Sequence, residues 1–395
     1  MKKLLSFKIT LAFMKRFLYL CTLIIMSLNA MAQIDPNDRN WSCTLSDNFN
    51  EPDRQFNSTF HESMNKWIAY AKCLRSGVTK QNLHSVYQWS NNTFNSIDGT
   101  LTMTSYHVQD SLVCGDYDIP PGYICQPDHH ELYYLSGMIE TTNEKFCYGY
   151  FEMRCKLPVH KGAFPAFWLW DSKNATQAPV PYYEEIDIFE YTWNIAESPN
   201  WIQNPNPHGI PDYHTFTSGI YFNDSGTDWT SYAKNFPSLN NNEPDLSNWH
   251  TFSCEWMPDY VIWYCDGNVV NEFYDSQHIP RHPLTIKITY PIDNRYNYGN
   301  SEWMEQGNMF IDYVNVYQLN WDCDTEETII CQSDIENFDY GVKKSIIIAS
   351  LTNEVIIRSS DKVTFRVADS FEITGQFHTE NGCEFTVIRQ SCPCD

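Results

Sequence analysis

The six residues Glu185-Ile186-Asp187-Ile188-Phe189-Glu190 put three carboxylates on one short, otherwise apolar and β-prone segment. Alternate side chains of an extended strand go to opposite faces, so Glu185 and Asp187 share a face with Phe189, and Glu190 points the other way. A single β-bulge after Asp187 returns Glu190 to the acidic face, and bulges are frequent beside active sites. Crowded carboxylates cannot all ionise freely: desolvation and like-charge repulsion raise at least one pKa while a neighbour stays charged. Such a pair offers an acid and a nucleophile. Glycoside cleavage with retained stereochemistry needs them about 5–5.5 Å apart, against roughly 6.5–9.5 Å for inversion. The hexapeptide alone also suits a calcium-ligating acidic strand, or an edge strand whose charges are simply solvated.

The rest of the chain must build something around that strand. Few stretches of the 395 residues show a helical period, whereas alternating or β-branched runs such as Tyr148–Leu157, Val261–Tyr264 and Phe310–Tyr317 recur between Asn, Gly and Pro clusters. An all-β sandwich is the expected class. Aromatic residues are 15% of the chain, with 13 Trp and 25 Tyr, enough for a large core and for flat rings on which sugars can stack. Residues 116–128, 172–182 and 199–212 read as loops, and the last two flank the acidic strand.

The acidic segment resembles the E-x-D-x-x-E signature of family 16 glycoside hydrolases, in the bulged variant found in laminarinases, agarases and carrageenases. The resemblance continues upstream through Ser136-Gly137, Tyr148-Gly-Tyr-Phe-Glu-Met-Arg-Cys-Lys-Leu-Pro158 and Phe164-Pro-Ala-Phe-Trp-Leu-Trp170. Downstream it includes Trp249-His-Thr-Phe252, Glu255-Trp256, Trp263-Tyr-Cys-Asp-Gly267 and Phe310-Ile-Asp-Tyr-Val-Asn-Val-Tyr317, so that it covers roughly Trp41 to Gln318. It implies a β-jelly-roll sandwich, concanavalin A-like, with a concave sugar-binding face. By the same resemblance Glu185 is the nucleophile, Glu190 the acid/base and Asp187 the residue that tunes both. Trp168 is implied on the cleft floor, with Trp170 two residues on along the same face. Trp193 is a second expected platform, and Glu152 with Arg154 suits either a substrate-binding pair or an ion pair beneath the cleft. A structural Ca2+ is implied on the convex face with Asp312 among its ligands; catalysis needs no organic cofactor.

The implied activity is retaining endo-hydrolysis of a β-linked polysaccharide, with β-1,3 or mixed-linkage glucan ranked first. An algal galactan of the agar, porphyran or carrageenan type is the alternative; a transglycosylase and a non-catalytic carbohydrate-binding protein are the other readings. Laminarinases often carry a His in the strand after the acidic one, and Thr217-Ser-Gly-Ile-Tyr221 has none, which bears against the β-1,3-glucan assignment. His107 and His160 are expected to be surface or loop residues.

Lys15 and Arg16, the apolar run Phe17–Leu28 and the small-x-small site Ala30-Met31-Ala32 have the layout of a signal peptide, starting at Met1 or Met14. The expected organisation is a leader over 1–32, a catalytic jelly roll over 33–320, a Cys/Asp/Glu-rich joint over 321–340 and a small β module over 341–395. In that module Phe365-Arg-Val-Ala-Asp-Ser-Phe-Glu-Ile-Thr-Gly-Gln-Phe377 followed by Gly382-Cys-Glu-Phe-Thr-Val387 resembles a β-rung block found at the C-termini of secreted Bacteroidetes enzymes. No other run reaches the roughly 20 apolar residues of a membrane span, so an exported, soluble monomer is expected. Thirteen of the fourteen cysteines follow the leader, with Cys114–Cys125 and Cys323–Cys331 as plausible disulfides. Loss of the five leader cations takes the formal net charge from −23 to −28. Such a field disfavours nucleic acid as a partner and favours a neutral glycan over a sulfated one.

Overall fold

The computed structural model describes residues 38–392, except for the segments 70–84, 113–131, 171–183, 192–215, 223–229, 237–244 and 293–306 and some shorter stretches. The expected leader, Cys114–Cys125 and Trp193 lie outside the described residues. Two β layers face each other over one core. The first carries, in lateral order, Asn268–Phe273, Val261–Cys265, His250–Trp256, Gly149–Lys156 and Gly307–Leu319, the last also pairing Trp41–Asp47 and Thr100–Leu112. The second carries Thr230–Phe236, Phe216–Phe222, Glu184–Glu190, Ala166–Trp170, Thr285–Tyr290, Leu132–Thr141 and Trp67–Ala69, all antiparallel. Thr100–Leu112 joins the layers, pairing with the first through residues 101–105 and with Leu132–Thr141 beyond them. The jelly-roll expectation holds.

Strict alternation fixes which side chains enter the core. In Thr285–Tyr290, Ile286 and Ile288 are fully buried in the shared cluster, and so are Phe167 and Leu169 in Ala166–Trp170. Phe151, Met153 and Cys155 meet them from the opposite layer. At about 1.5–3 kcal/mol per large apolar side chain buried, this cluster carries most of the drive to fold. The hairpin Val261–Phe273 closes on Asp266-Gly267, both at positive φ (49° and 75°), a type I′ turn whose twist matches its flanking strands.

Beyond Asn320 the chain changes architecture. Trp321–Ile329, Val342–Ile348, Lys362–Ile373 and Glu384–Arg389 stack as a parallel four-stranded sheet, and Val355–Ile357 pairs in parallel with Phe377–Thr379. The stretch expected as a joint therefore supplies the first strand of this stack and a short helix, Gln332–Glu336. Cys323 is bonded to Cys392, not to Cys331; Cys331 instead sits at the N-cap of that helix. The stack is fastened to the sandwich: Met257, Leu319 and Val342 bury against one another, Asn40 Nδ2 donates to Thr364 O (2.8 Å), and Arg39 lies 4.3 Å from the Tyr340 ring centroid.

Candidate active site

The acidic strand is bulged. Against Phe216–Phe222 its register runs from Glu185↔Tyr221 to Asp187↔Gly219, then slips so that Glu190 faces Thr217. Against Ala166–Trp170 the slip falls between Asp187 and Phe189, leaving Glu190 opposite Ala166. Ile188 and Phe189 are consecutive, yet both are buried in the core cluster. Two successive residues on one side are what a bulge produces, and the next residue, Glu190, is thereby turned to the face shared by Glu185 and Asp187. Phe189, which plain alternation would put beside the acids, goes to the core instead.

The outer face of this layer reads as rows across the strands. One row is Thr285, Trp170, Glu185, Tyr221; a second is Glu140, Lys287, Trp168, Asp187, Gly219. Glu185 and Asp187 are 5% and 2% exposed, whereas Glu190 is half-buried. The Trp168 and Trp170 rings stack with centroids 5.8 Å apart at 29°. A pair of stacked indoles thus adjoins the carboxylates across the strand pairing.

The bulge needs support that the sequence motif does not show. A bulge disrupts the local ladder and leaves backbone groups to find other partners. Trp263, fully buried and reaching across the core from the first layer, donates its Nε1–H to Asp187 O at 2.9 Å. Asn271 Nδ2 donates to Ser218 O (3.1 Å) on the adjoining strand, and Thr217 Oγ1 donates to Glu190 O (3.2 Å). These residues hold the backbone of the acids and the strand beside it. Trp263 lies in a segment recognisable from sequence as a back strand, but nothing local tells that its indole ends on the acidic strand.

Glu152 and Arg154 belong to the other layer. They sit on Gly149–Lys156 between His250–Trp256 and Gly307–Leu319, away from the acidic strand, and are corrected from substrate-binding candidates to structural ones. Burial pushes the Glu152 carboxyl up, partly offset by hydrogen bonds from Tyr313, Asn315 and Tyr150. Arg154 pairs with Asp312 and lies 4.8 Å from the Trp249 ring centroid. A divalent cation at Asp312 would have to compete with that guanidinium for the carboxylate. His160 is not a surface residue: it is 7% exposed, with Nε2 2.5 Å from the Tyr290 hydroxyl. His107 is half-buried on a strand, edge-on to Tyr134.

Among the described residues one group, His250, Cys265 and Asp266, has the ligand types of a metal site, with ligand atoms within 4.8 Å of one another. His250 Nδ1 lies 2.6 Å from Asp266 Oδ2 and Nε2 lies 2.9 Å from Asp245 O. Both partners are acceptors that favour a proton on each ring nitrogen, so a metal at His250 would have to displace Asp266 or the Asp245 carbonyl. Burial opposes a charged ring, but the hydrogen bonds to Asp266 and to the Asp245 carbonyl outweigh it and raise the His250 pKa.

Known proteins share this chain's pattern. It is 27% identical over 235 residues to the endo-1,3-1,4-beta-glycanase EglC of Rhizobium meliloti (strain 1021), covering 59% of this chain and 41% of that protein. It is 26% identical over 199 residues to the kappa-carrageenase of Pseudoalteromonas carrageenovora, covering 48% of this chain and 45% of that one. The chain thus spans less than half the length of these relatives. In fold it is similar to the catalytic domain of an endo-1,3-beta-glucanase (laminarinase) from Thermotoga petrophila RKU-1, with a TM-score of 0.50, 21% identity, and coverage of 71% of this chain and 99% of that one. The model for glycosyl hydrolases family 16 matches residues 81–315, more than half of the chain and inclusive of the bulged acidic strand, and the chain belongs to that family.

Proposed function

We propose that the protein is a secreted, retaining endo-glycosidase that cleaves β-1,3 or mixed-linkage glucan. The observation that carries this is the bulge: it brings Glu185, Asp187 and Glu190 to one face beside the stacked Trp168 and Trp170. A glycan lying on the rings presents its scissile bond to the carboxylates. A Glu185 carboxylate oxygen attacks the anomeric carbon as the glycosidic bond breaks, and Glu190 gives its proton to the leaving oxygen. Glu190, now a carboxylate, takes a proton from water; the resulting hydroxide adds to the anomeric carbon and Glu185 departs, giving net retention. Asp187, between the two along the strand, holds the nucleophile and modulates its charge. Trp263 and Thr217 keep the bulge in register throughout.

The relatives support a glucan, and so does the acidity of the chain, which repels polyanions. An algal galactan of the agar, porphyran or carrageenan type is the second substrate reading, favoured by the carrageenase relative and by the absence of His from Thr217–Tyr221. Purified protein incubated with laminarin, lichenan, agarose, porphyran and carrageenan, with products sized, decides between them. Oligosaccharides from laminarin or lichenan support the proposal; release only from a galactan replaces the substrate, and no release from any polymer refutes the enzyme reading. Anomer-resolved NMR of the first product tests retention. Export rests on the N-terminal layout, and among the described residues no helix is long and apolar enough to cross a membrane.

A further inference from the structure

Lys287 is a cation buried on the same face as the acids. Its strand neighbours Ile286 and Ile288 fill the core, so alternation turns Lys287 outward, between Trp168 on one adjacent strand and Glu140 on the other. It is 2% exposed. Its Nζ lies 2.8 Å from Glu140 Oε2, 4.7 Å from the Trp170 ring centroid and 5.5 Å from that of Trp168. An ammonium held this far from water is strongly disfavoured unless it is paired. Here the counter-charge comes from Glu140, and the two indoles add cation–π attraction.

The row Glu140, Lys287, Trp168, Asp187 fixes where this pair acts. Neighbouring strands lie about 4.8 Å apart, so Lys287 is about 10 Å from Asp187 across the sheet and Glu140 about 15 Å. A pyranose ring spans about one strand spacing. A glycan crossing the strands therefore has its second and third rings from the scissile bond over the Trp168–Lys287–Glu140 part of the floor.

We propose that Lys287 is a positioning residue that fixes the Trp168–Trp170 stack as a platform for the distal sugars, and that Glu140, by cancelling its charge, makes this part of the cleft selective for uncharged glycans. The proposal rests on the glycosidase reading above. A floor with a free ammonium would attract sulfate esters; a floor with a closed Lys–Glu pair offers them nothing. Substrate length and substrate charge are thus set by one ion pair at the rim of the platform, outside the signature residues.

The test uses the full chain with Lys287→Met, Lys287→Arg, Glu140→Gln and the double variant Lys287→Met/Glu140→Gln. KM and kcat are measured on the polymer the wild type cleaves and on a short activated aryl glycoside. Lys287→Met is expected to raise KM on the polymer by about 3- to 30-fold, the factor equivalent to losing the cation–π contacts, with a clearly smaller change on the short substrate. Lys287→Arg should restore most of it. Glu140→Gln, which leaves the ammonium without its counter-charge, should make the enzyme more sensitive to inhibition by carrageenan. If a single variant fails to fold, the double variant, which leaves no unpaired buried charge, gives the same KM readout. Equal losses on polymer and short substrate, or wild-type KM in a folded double variant, overturn the proposal. A wild type inert on every polymer refutes the glycosidase reading itself, a distinct outcome.

Discussion

Replacing Trp263 with Phe isolates the support of the bulge from the chemistry it carries. The indole is fully buried, and its Nε1–H is donated to the carbonyl of Asp187 at 2.9 Å. Phe keeps an aromatic ring in the core but removes the donor, leaving a buried carbonyl without it, at about 1–3 kcal/mol. The smaller ring leaves a void costing about 1–2 kcal/mol more. Together these lower Tm by roughly 4–20 °C, taking about 2–4 °C per kcal/mol as for a domain of about 150–250 residues. Relaxation of the bulge moves Glu190 against Glu185, and displacement of catalytic groups by about 1 Å can cost a hundredfold in rate, so kcat should fall about 10- to 100-fold. Trp256→Phe is the matched control: that indole is equally buried and donates to Pro280 O at 3.0 Å, away from the acidic strand. Thermal melts should show similar losses for the two variants, while steady-state kinetics below both melting points should show a turnover defect only for Trp263→Phe. Equal kcat in the two variants would refute the assignment of Trp263 to the bulge.

Glu185→Gln should leave Tm near the wild-type value and lower turnover by several orders of magnitude, whereas Glu190→Ala should keep a fast first step on an activated aryl glycoside and be rescued by azide; equal loss on activated and natural substrates would remove Glu190 from the acid/base role. The His250–Asp266 pair should make stability pH-dependent in a defined sense. The His250 pKa is raised in the fold, so its contribution is whole below about pH 6.5 and disappears as pH rises through the raised value; that of Asp266 is lowered by the hydrogen bonds from His250 and Thr251 against burial, so its contribution holds above about pH 3.9 and is lost on acidification. The Tm difference between wild type and His250→Asn should therefore be widest from about pH 4 to 6.5 and narrow by pH 9, and a difference constant to pH 9 would mean an uncharged ring. Cys392→Ser opens a cross-link between residues 69 apart, which the chain-entropy estimate values at about 4 kcal/mol, so a large Tm drop in the variant, matched by reductant in the wild type, is expected; insensitivity to both would rule out Cys323–Cys392.

The acidic strand was legible from sequence because its information is local. Three acids at fixed spacing on a β-prone segment demand a bulge if they are to act together, and the register slip after Asp187 supplies it. The all-β class was legible for the same reason, since period-two alternation in runs such as Ala166–Trp170 and Thr285–Tyr290 states which side chains face the core. Strand pairing is not local, and there the sequence was mute or misleading. Glu152 and Arg154 have the spacing of a one-face pair but lie in the layer remote from the acids, because only the sheet order decides which layer a strand joins. Cys331 lies near Cys323 in the chain, yet the parallel stack brings Cys392 to it from 69 residues away. Lys287 and Trp263 look like ordinary strand residues in the sequence; the first reaches the face of the acids because its strand pairs with Trp168, and the second reaches the bulge because the two layers face each other across the core. Residue types and spacing determine what chemistry is available, and long-range register determines which residues can take part in it.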